Sequence, residues 1–141
     1  MILIQCTKSK RDETAKAKDL YDTSPLFRKS KRYAQLKNQE WHILSAKHGM
    51  VAPSVELDPY DEFGLSVEQS ETIARRVDKR YPDTVELLAG KQYADPLRPE
   101  LEKHNIAVTE PMGDRGIGER MAWLDEQIKT LENQTLTDAT G

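Results

Sequence analysis

Four short apolar runs set the pattern of this chain. They are Ile2-Leu3-Ile4-Gln5-Cys6, Trp41-His42-Ile43-Leu44-Ser45, Thr84-Val85-Glu86-Leu87-Leu88-Ala89 and Ile106-Ala107-Val108-Thr109. Short apolar runs bounded by polar segments and turns read as buried strands. Helical patterns separate them, and strands alternating with helices imply a mostly parallel sheet covered on both faces. The expectation is an α/β protein: a single-domain three-layer sandwich around a mostly parallel four-stranded sheet, Rossmann-like in plan. Right-handed crossovers bring all four strand carboxyl ends to one edge. That edge is where open α/β sheets bind ligands.

The helices carry their own punctuation. Ser24-Pro25 reads as an N-cap followed by proline at the first helical position, opening a helix to about Lys37. Ser66-Val67-Glu68-Gln69 reads as a capping box that opens a helix to about Arg80. A third helix runs from about Tyr93 or Asp95 to His104. A last one runs from about Gly116 to Asn133, with Ile117, Met121, Leu124, Ile128 and Leu131 on one stripe. Residues 7–24 lack a clear period, and residues 46–65 read as one long loop. The domain is expected to span 1–133, with 134–141 a short, polar, frayed tail. A length of 141 residues suits one domain with a real core.

Charge is unevenly spread. Residues 1–50 carry eleven Lys and Arg against five Asp and Glu, while the whole chain is at −3. A basic half in an acidic protein fits an anionic ligand on one face, or simply a solvated, lysine-rich helix. No apolar run approaches the roughly 20 residues that span a bilayer, so no membrane association is expected. Met1 leads directly into a strand-like run with no charged leader, which places the protein in the cytoplasm as an expectation. A single cysteine excludes an intramolecular disulfide and a multi-cysteine zinc site. His42, His48 and His104 have no metal-ligand spacing with it, so no metal is expected.

Two strand ends deliver polar groups. After the first run come Thr7, Lys8, Ser9 and Lys10, a turn of hydroxyls, backbone N–H groups and ammonium charges suited to phosphate, carboxylate or a base carbonyl. It has neither the glycines of a Walker loop nor the Rossmann fingerprint, so no ATP or NAD cofactor is expected. Cys6, at the strand end, is more often an inert buried thiol than a nucleophile. After the second run come Ser45, Lys47, His48 and Gly49. Ser45 lies outside any Gly-x-Ser-x-Gly elbow and reads as a hydrogen-bond donor. His48 fits an acid, a base, a phosphate partner or a loop histidine with no role. Gly49 suits a positive φ.

Asp58-Pro59-Tyr60-Asp61 is the sharpest group in the long loop. Its two carboxylates flank a rigid Pro-Tyr: one can activate water or steady a cationic centre while Tyr60 packs on a base, or the four form an ordinary turn. Gly90 and Tyr93 follow the third strand, where glycine allows close backbone approach and tyrosine can stack. Gly113, in Pro111-Met112-Gly113, precedes a helix N-terminus, a natural anion site.

The order of these motifs resembles a known family. Cys6 to Lys10, Leu20-Tyr21 with Ser24-Pro25-Leu26-Phe27, Leu44-Ser45-Ala46-Lys47-His48-Gly49-Met50-Val51, Asp58 to Asp61, Leu88-Ala89-Gly90 with Tyr93, and Gly116 to Leu124 carry the resemblance. It is similar to a family of small microbial, archaeal and phage proteins. In motif order it is also similar to the peroxide-stress YaaA proteins and to the lysine-transferring domain of archaeosine synthases. The resemblance implies a uracil-DNA glycosylase-like fold and points to nucleobases or nucleic acids. Asp58-Pro59-Tyr60 is similar to the water-activating motif of those glycosylases. Lys10 is the nearest match to the lysine that archaeosine synthases place after a Cys-Ser turn.

The expected function is a nucleobase- or nucleic-acid-processing enzyme that cleaves an N-glycosidic bond or modifies a base. Lys10 would bind phosphate or attack, Asp58 or Asp61 would act as base, and Tyr60 or Tyr93 would stack. Cys6, Thr7, Lys8, Ser9, Tyr21, Ser45, Lys47, His48, Gly49, Gly90 and Gly113 would complete the binding surface. The expected partner is a nucleobase, a nucleotide, or a single-stranded or flipped base. The alternative is a non-catalytic nucleic-acid-binding or stress-response protein.

Overall fold

Strand β1 (Ile2–Gln5) runs through the centre of the sheet, with Ile2, Leu3 and Ile4 buried on both faces. That is the position a continuous apolar run suits best. The computed structural model describes residues 1–8 and 10–140, with side chains described as far as residue 134. β2 (Ala15–Lys16), α1 (Ala17–Leu20) and α2 (Pro25–Lys37) follow β1. Next come β3 (Trp41–Ser45), β4 (Gly49–Val51), β5 (Glu56–Leu57) and α3 (Val67–Asp78). The chain then forms β6 (Thr84–Leu88), α4 (Lys91–Lys103), β7 (Ala107–Thr109) and α5 (Ile117–Thr140).

The main sheet has the order β4-β3-β1-β6-β7. β3, β1, β6 and β7 are parallel, and these are the four runs read as strands above. The sheet is nevertheless five-stranded and mixed, which corrects the four-stranded expectation. β4 folds back antiparallel on β3, pairing Ser45 with Gly49 and Leu44 with Met50. Gly49 makes the reversal possible at φ +73°, and Met50 and Val51 bury their side chains. Two more segments read as irregular hold a small antiparallel ladder, with Ala15 opposite Leu57. α5 also continues through residues 134–140.

The connection from β1 to β3 moves one way across the sheet, and those from β3 to β6 and β6 to β7 move the other way. Right-handed crossovers therefore put α2 on one face and α3 with α4 on the other. α5 joins α2: the Tyr33 and Trp123 rings pack at 5.4 Å, and Arg32 pairs with Glu132 at 3.2 Å. The reversal of direction opens a crevice between the carboxyl ends of β1 and β6, the switch point where such sheets take ligands.

Both capping signals form. The Ser24 hydroxyl accepts from Phe27 N–H at 3.2 Å, and Ser66 and Gln69 close a reciprocal capping box. Gln69 also reaches beyond its own helix. Its amide donates to the Ala46 carbonyl at 2.6 Å, tying α3 to the β3–β4 hairpin. Gln69→Ala is expected to cost about 1–2 kcal/mol, read as a lower urea midpoint. Gln69→Glu keeps an acceptor for the capping box and loses the Ala46 bond, so its midpoint falls between the two.

α4 contains Pro96. Proline has no N–H, so the Gln92 carbonyl one turn earlier has no helical donor. Leu65 N–H donates to it at 3.1 Å and pins the end of the long loop to α4.

Candidate functional site

The carboxyl ends of β1 and β3 and the start of α4 meet under the long loop, and their polar side chains bond to one another. Ser45, fully buried, donates its hydroxyl to Tyr60 Oη at 2.8 Å. The same hydroxyl accepts from the backbone N–H groups of Lys47 at 3.3 Å and His48 at 3.0 Å. Tyr60 Oη and Tyr21 Oη share a hydrogen bond at 2.5 Å. Cys6 Sγ lies 3.1 Å from Tyr93 Oη. Burial pushes the Tyr21 phenol up to about 12, against a lowering contribution from its bond to Tyr60. Burial also raises Tyr60 and Tyr93, with the neighbouring Cys6 adding to both. At neutral pH these phenols are hydrogen-bonding groups rather than bases.

Cys6, Tyr21, Ser45, Tyr60 and Tyr93 are thus brought together, largely as the fastening of the long loop to the sheet. Tyr93 is fully buried, so it offers no face to a ligand. The ring exposed at this place is Phe63, 45% accessible, which stands edge-on to Tyr93 at 5.4 Å. Lys8 Nζ lies 5.0 Å from the Phe63 ring centre. Lys10 Nζ lies 4.7 Å from the Tyr60 ring centre and donates to the Lys8 carbonyl at 3.3 Å. The His48 ring meets Tyr60 edge-on at 5.7 Å.

The remaining predicted residues are spread more widely. Asp58 is exposed and accepts a hydrogen bond from the Thr14 hydroxyl, which the β2–β5 ladder sets beside it. Asp61 and the Lys47 side chain are exposed. Gly113 lies in the turn before α5 at φ +52°, its N–H donating to the Glu110 carbonyl at 3.0 Å. Ser9 lies outside the described residues. Among the described residues no three His, Cys, Asp or Glu side chains are grouped to hold a metal ion. Among them, too, no helix is long and apolar enough to cross a membrane.

A cleft of about 390 Å³ opens at the β1 side of the switch point. Gln5, Thr7 and Lys8 line it from the end of β1, Leu26 from α2, Phe63 from the long loop, and Ile117 and Arg120 from α5. Gln5 Oε1 accepts from Gly90 N–H at 2.6 Å, which bridges β1 to the end of β6. That bond leaves the Gln5 amide N–H groups without a partner among the described residues. The volume and the mix of apolar walls with a few polar groups fit a small-ligand site.

Gln5, Phe63 and Arg120 are the site residues that sequence reasoning missed. A polar residue ending an apolar strand was a signal for Gln5. A cation in the first turn of the helix after the fourth strand was a signal for Arg120.

Fold and cleft together define a small α/β protein with a ligand-sized opening at the switch point of a mixed sheet. The chain belongs to DUF6884, a family of unknown function whose pattern matches residues 1–126. No curated protein and no solved structure matches the chain. The matched residues contain every strand and the start of α5, so the cleft lies inside the family's common region.

Proposed function

We propose that this chain is a nucleobase- or nucleic-acid-processing enzyme whose ligand sits at the carboxyl edge of the sheet. The cleft carries the reading: an exposed aromatic ring, a primary amide with uncommitted N–H groups, and two cations occupy one opening. An aromatic ring suits a planar base, an amide suits its polar edge, and cations suit the attached phosphate. The motif resemblance to uracil-DNA glycosylase-like proteins supports the same class. The loop that carries Phe63 also carries Asp58 and Asp61, the proposed bases, and Lys10 stands beside Tyr60 as the proposed nucleophile or phosphate ligand.

The test is mass spectrometry of nucleosides, transfer RNA and single-stranded DNA incubated with wild type, Lys10→Ala and Asp61→Asn. A released base or a mass-shifted nucleoside is expected from wild type, with yield falling about 100-fold in each variant. The engagement of Asp58 by Thr14 favours a second reading, a binding protein without turnover. No product from any substrate, with salt-sensitive binding intact in all three proteins, would establish that reading instead.

A further inference from the structure

Every other arginine of the chain is exposed; Arg120 is half-buried. It lies in the first turn of α5, and its Nε donates to the Arg115 carbonyl at 2.8 Å. That bond fixes the plane of the guanidinium and turns both Nη groups toward Gly90. A β-carbon on Gly90 would lie 3.4 Å from Arg120 Nη1, 3.8 Å from Nη2 and 3.3 Å from Gln5 Oε1. A side chain at position 90 would press on the Gln5 oxygen and touch the Arg120 guanidinium, so the arginine and the amide converge on the same point of the backbone. Among the described residues no carboxylate pairs with Arg120, whereas Arg11, Arg32 and Arg80 each hold one and Arg98 holds two.

The surroundings have one sign. Among the described residues, those lining the cleft include Lys8 and Arg120 and no acid. The first turns of α2 and α5 both border it, through Pro25 with Leu26 and through Ile117 with Arg120. Helix starts carry partial positive charge, so two of them add to the two cations. A guanidinium drawn partly out of water without a counter-charge favours an anion that fits its fork, and phosphate does so through two parallel bonds. Phe63 and Ile117, both exposed apolar side chains, stand in the same opening and suit a ring attached to that anion.

We infer that Arg120, with the Gln5 amide, is a phosphate subsite, and that the ligand of the cleft is a nucleoside phosphate with its ring on the Phe63 side. The inference rests on the nucleobase reading above and names the part of the ligand that reading leaves open. Arg120 binds the phosphate as a bidentate donor, Gln5 adds an amide N–H, and Lys8 supplies charge at the rim.

The experiment is calorimetric titration of the full chain with the four ribonucleosides, their 5′-monophosphates and inorganic phosphate. Wild type, Arg120→Met and Arg120→Lys are compared, with thermal midpoints recorded for each. In wild type at least one monophosphate is expected to bind about tenfold more tightly than its nucleoside. In Arg120→Met that advantage, read as the ratio of monophosphate to nucleoside affinity, collapses towards one. Arg120→Lys keeps the charge and loses the fork, so it retains part of the advantage, and it carries the comparison if Arg120→Met does not fold. Equal binding of nucleoside and monophosphate would overturn the phosphate subsite and leave the nucleobase reading standing. So would a phosphate advantage that survives in both variants. Arg120-dependent binding of inorganic phosphate, with no nucleoside or nucleotide bound, would keep the anion subsite and overturn the nucleobase reading. No binding of any probe would overturn the nucleoside-phosphate subsite, and the assay on transfer RNA and single-stranded DNA would then decide the nucleobase reading.

Discussion

Between about pH 10 and pH 12 the protein is expected to unfold in one cooperative step. Tyr21, Tyr33 and Tyr93 are buried, and burial raises each phenol above its ordinary value of 10, Tyr21 to about 12. Tyr33 is raised further by the Glu86 carboxylate to which its hydroxyl donates at 2.6 Å. In the unfolded chain the same phenols ionise near pH 10, while the folded chain keeps its protons. The unfolded state therefore binds fewer protons in this window, and stability falls as pH rises. The contribution is complete below pH 10 and is lost progressively above it. Each phenol adds about 1.4 kcal/mol per pH unit to the slope, so three add about 4. A domain with about 5–15 kcal/mol of stability loses most or all of it over such a range. In a Tyr81→Phe background, which removes the one exposed phenol among the described residues, circular dichroism at 222 nm and phenolate absorbance at 295 nm should change together. Phenolate forming while the helical signal stays native would contradict this linkage.

Tyr93→Ala is expected to cost about 3–5 kcal/mol, the range for deleting a large buried ring. The void would open between Cys6, on the end of the central strand, and Phe63, on the long loop. Tyr93→Phe loses only the hydroxyl opposite Cys6, a change of about 1 kcal/mol. The difference between the two midpoints in guanidinium unfolding measures the ring apart from the hydroxyl. Cys6 provides a second readout. It is 1% exposed, and Tyr93→Ala strips its cover, so reaction with a thiol reagent should become faster in that variant while staying slow in Tyr93→Phe.

The parallel core of the fold was legible because each of its strands is a short, mainly apolar run bounded by turns, even with His42 inside β3 and Glu86 inside β6. The starts of α2 and α3 were legible because Ser24-Pro25 and Ser66 to Gln69 are local chemistry, complete within four residues. β4 was not, because a three-residue strand beginning at Gly49 has no period to read, and its evidence is the partner strand it folds onto. β2 and β5 are two residues each and exist only as a pair brought together across some forty positions. The same reason separates the site residues. Cys6, Ser45 and Tyr60 were recognisable as chemistry at strand ends and turns. That Tyr93 would meet Cys6, and so be buried while Phe63 took the exposed position, depends on a contact 87 residues apart in sequence. Arg120 was hidden by α5 itself, whose apolar stripe explains the helix without saying where the helix starts in space.

Pro96 shows how a break in one element's regularity becomes another element's anchor. A helix with every carbonyl occupied is a closed surface to a passing backbone. The missing N–H of Pro96 leaves one socket open, and the loop that displays Phe63 plugs into it through Leu65. The aromatic wall of the cleft is thus registered against α4 by a bond that any other residue at position 96 would compete to fill. Reach and aim of that wall are set by a defect in α4: the donor Leu65 is two residues from the ring in sequence, and the proline that frees its acceptor is more than thirty away.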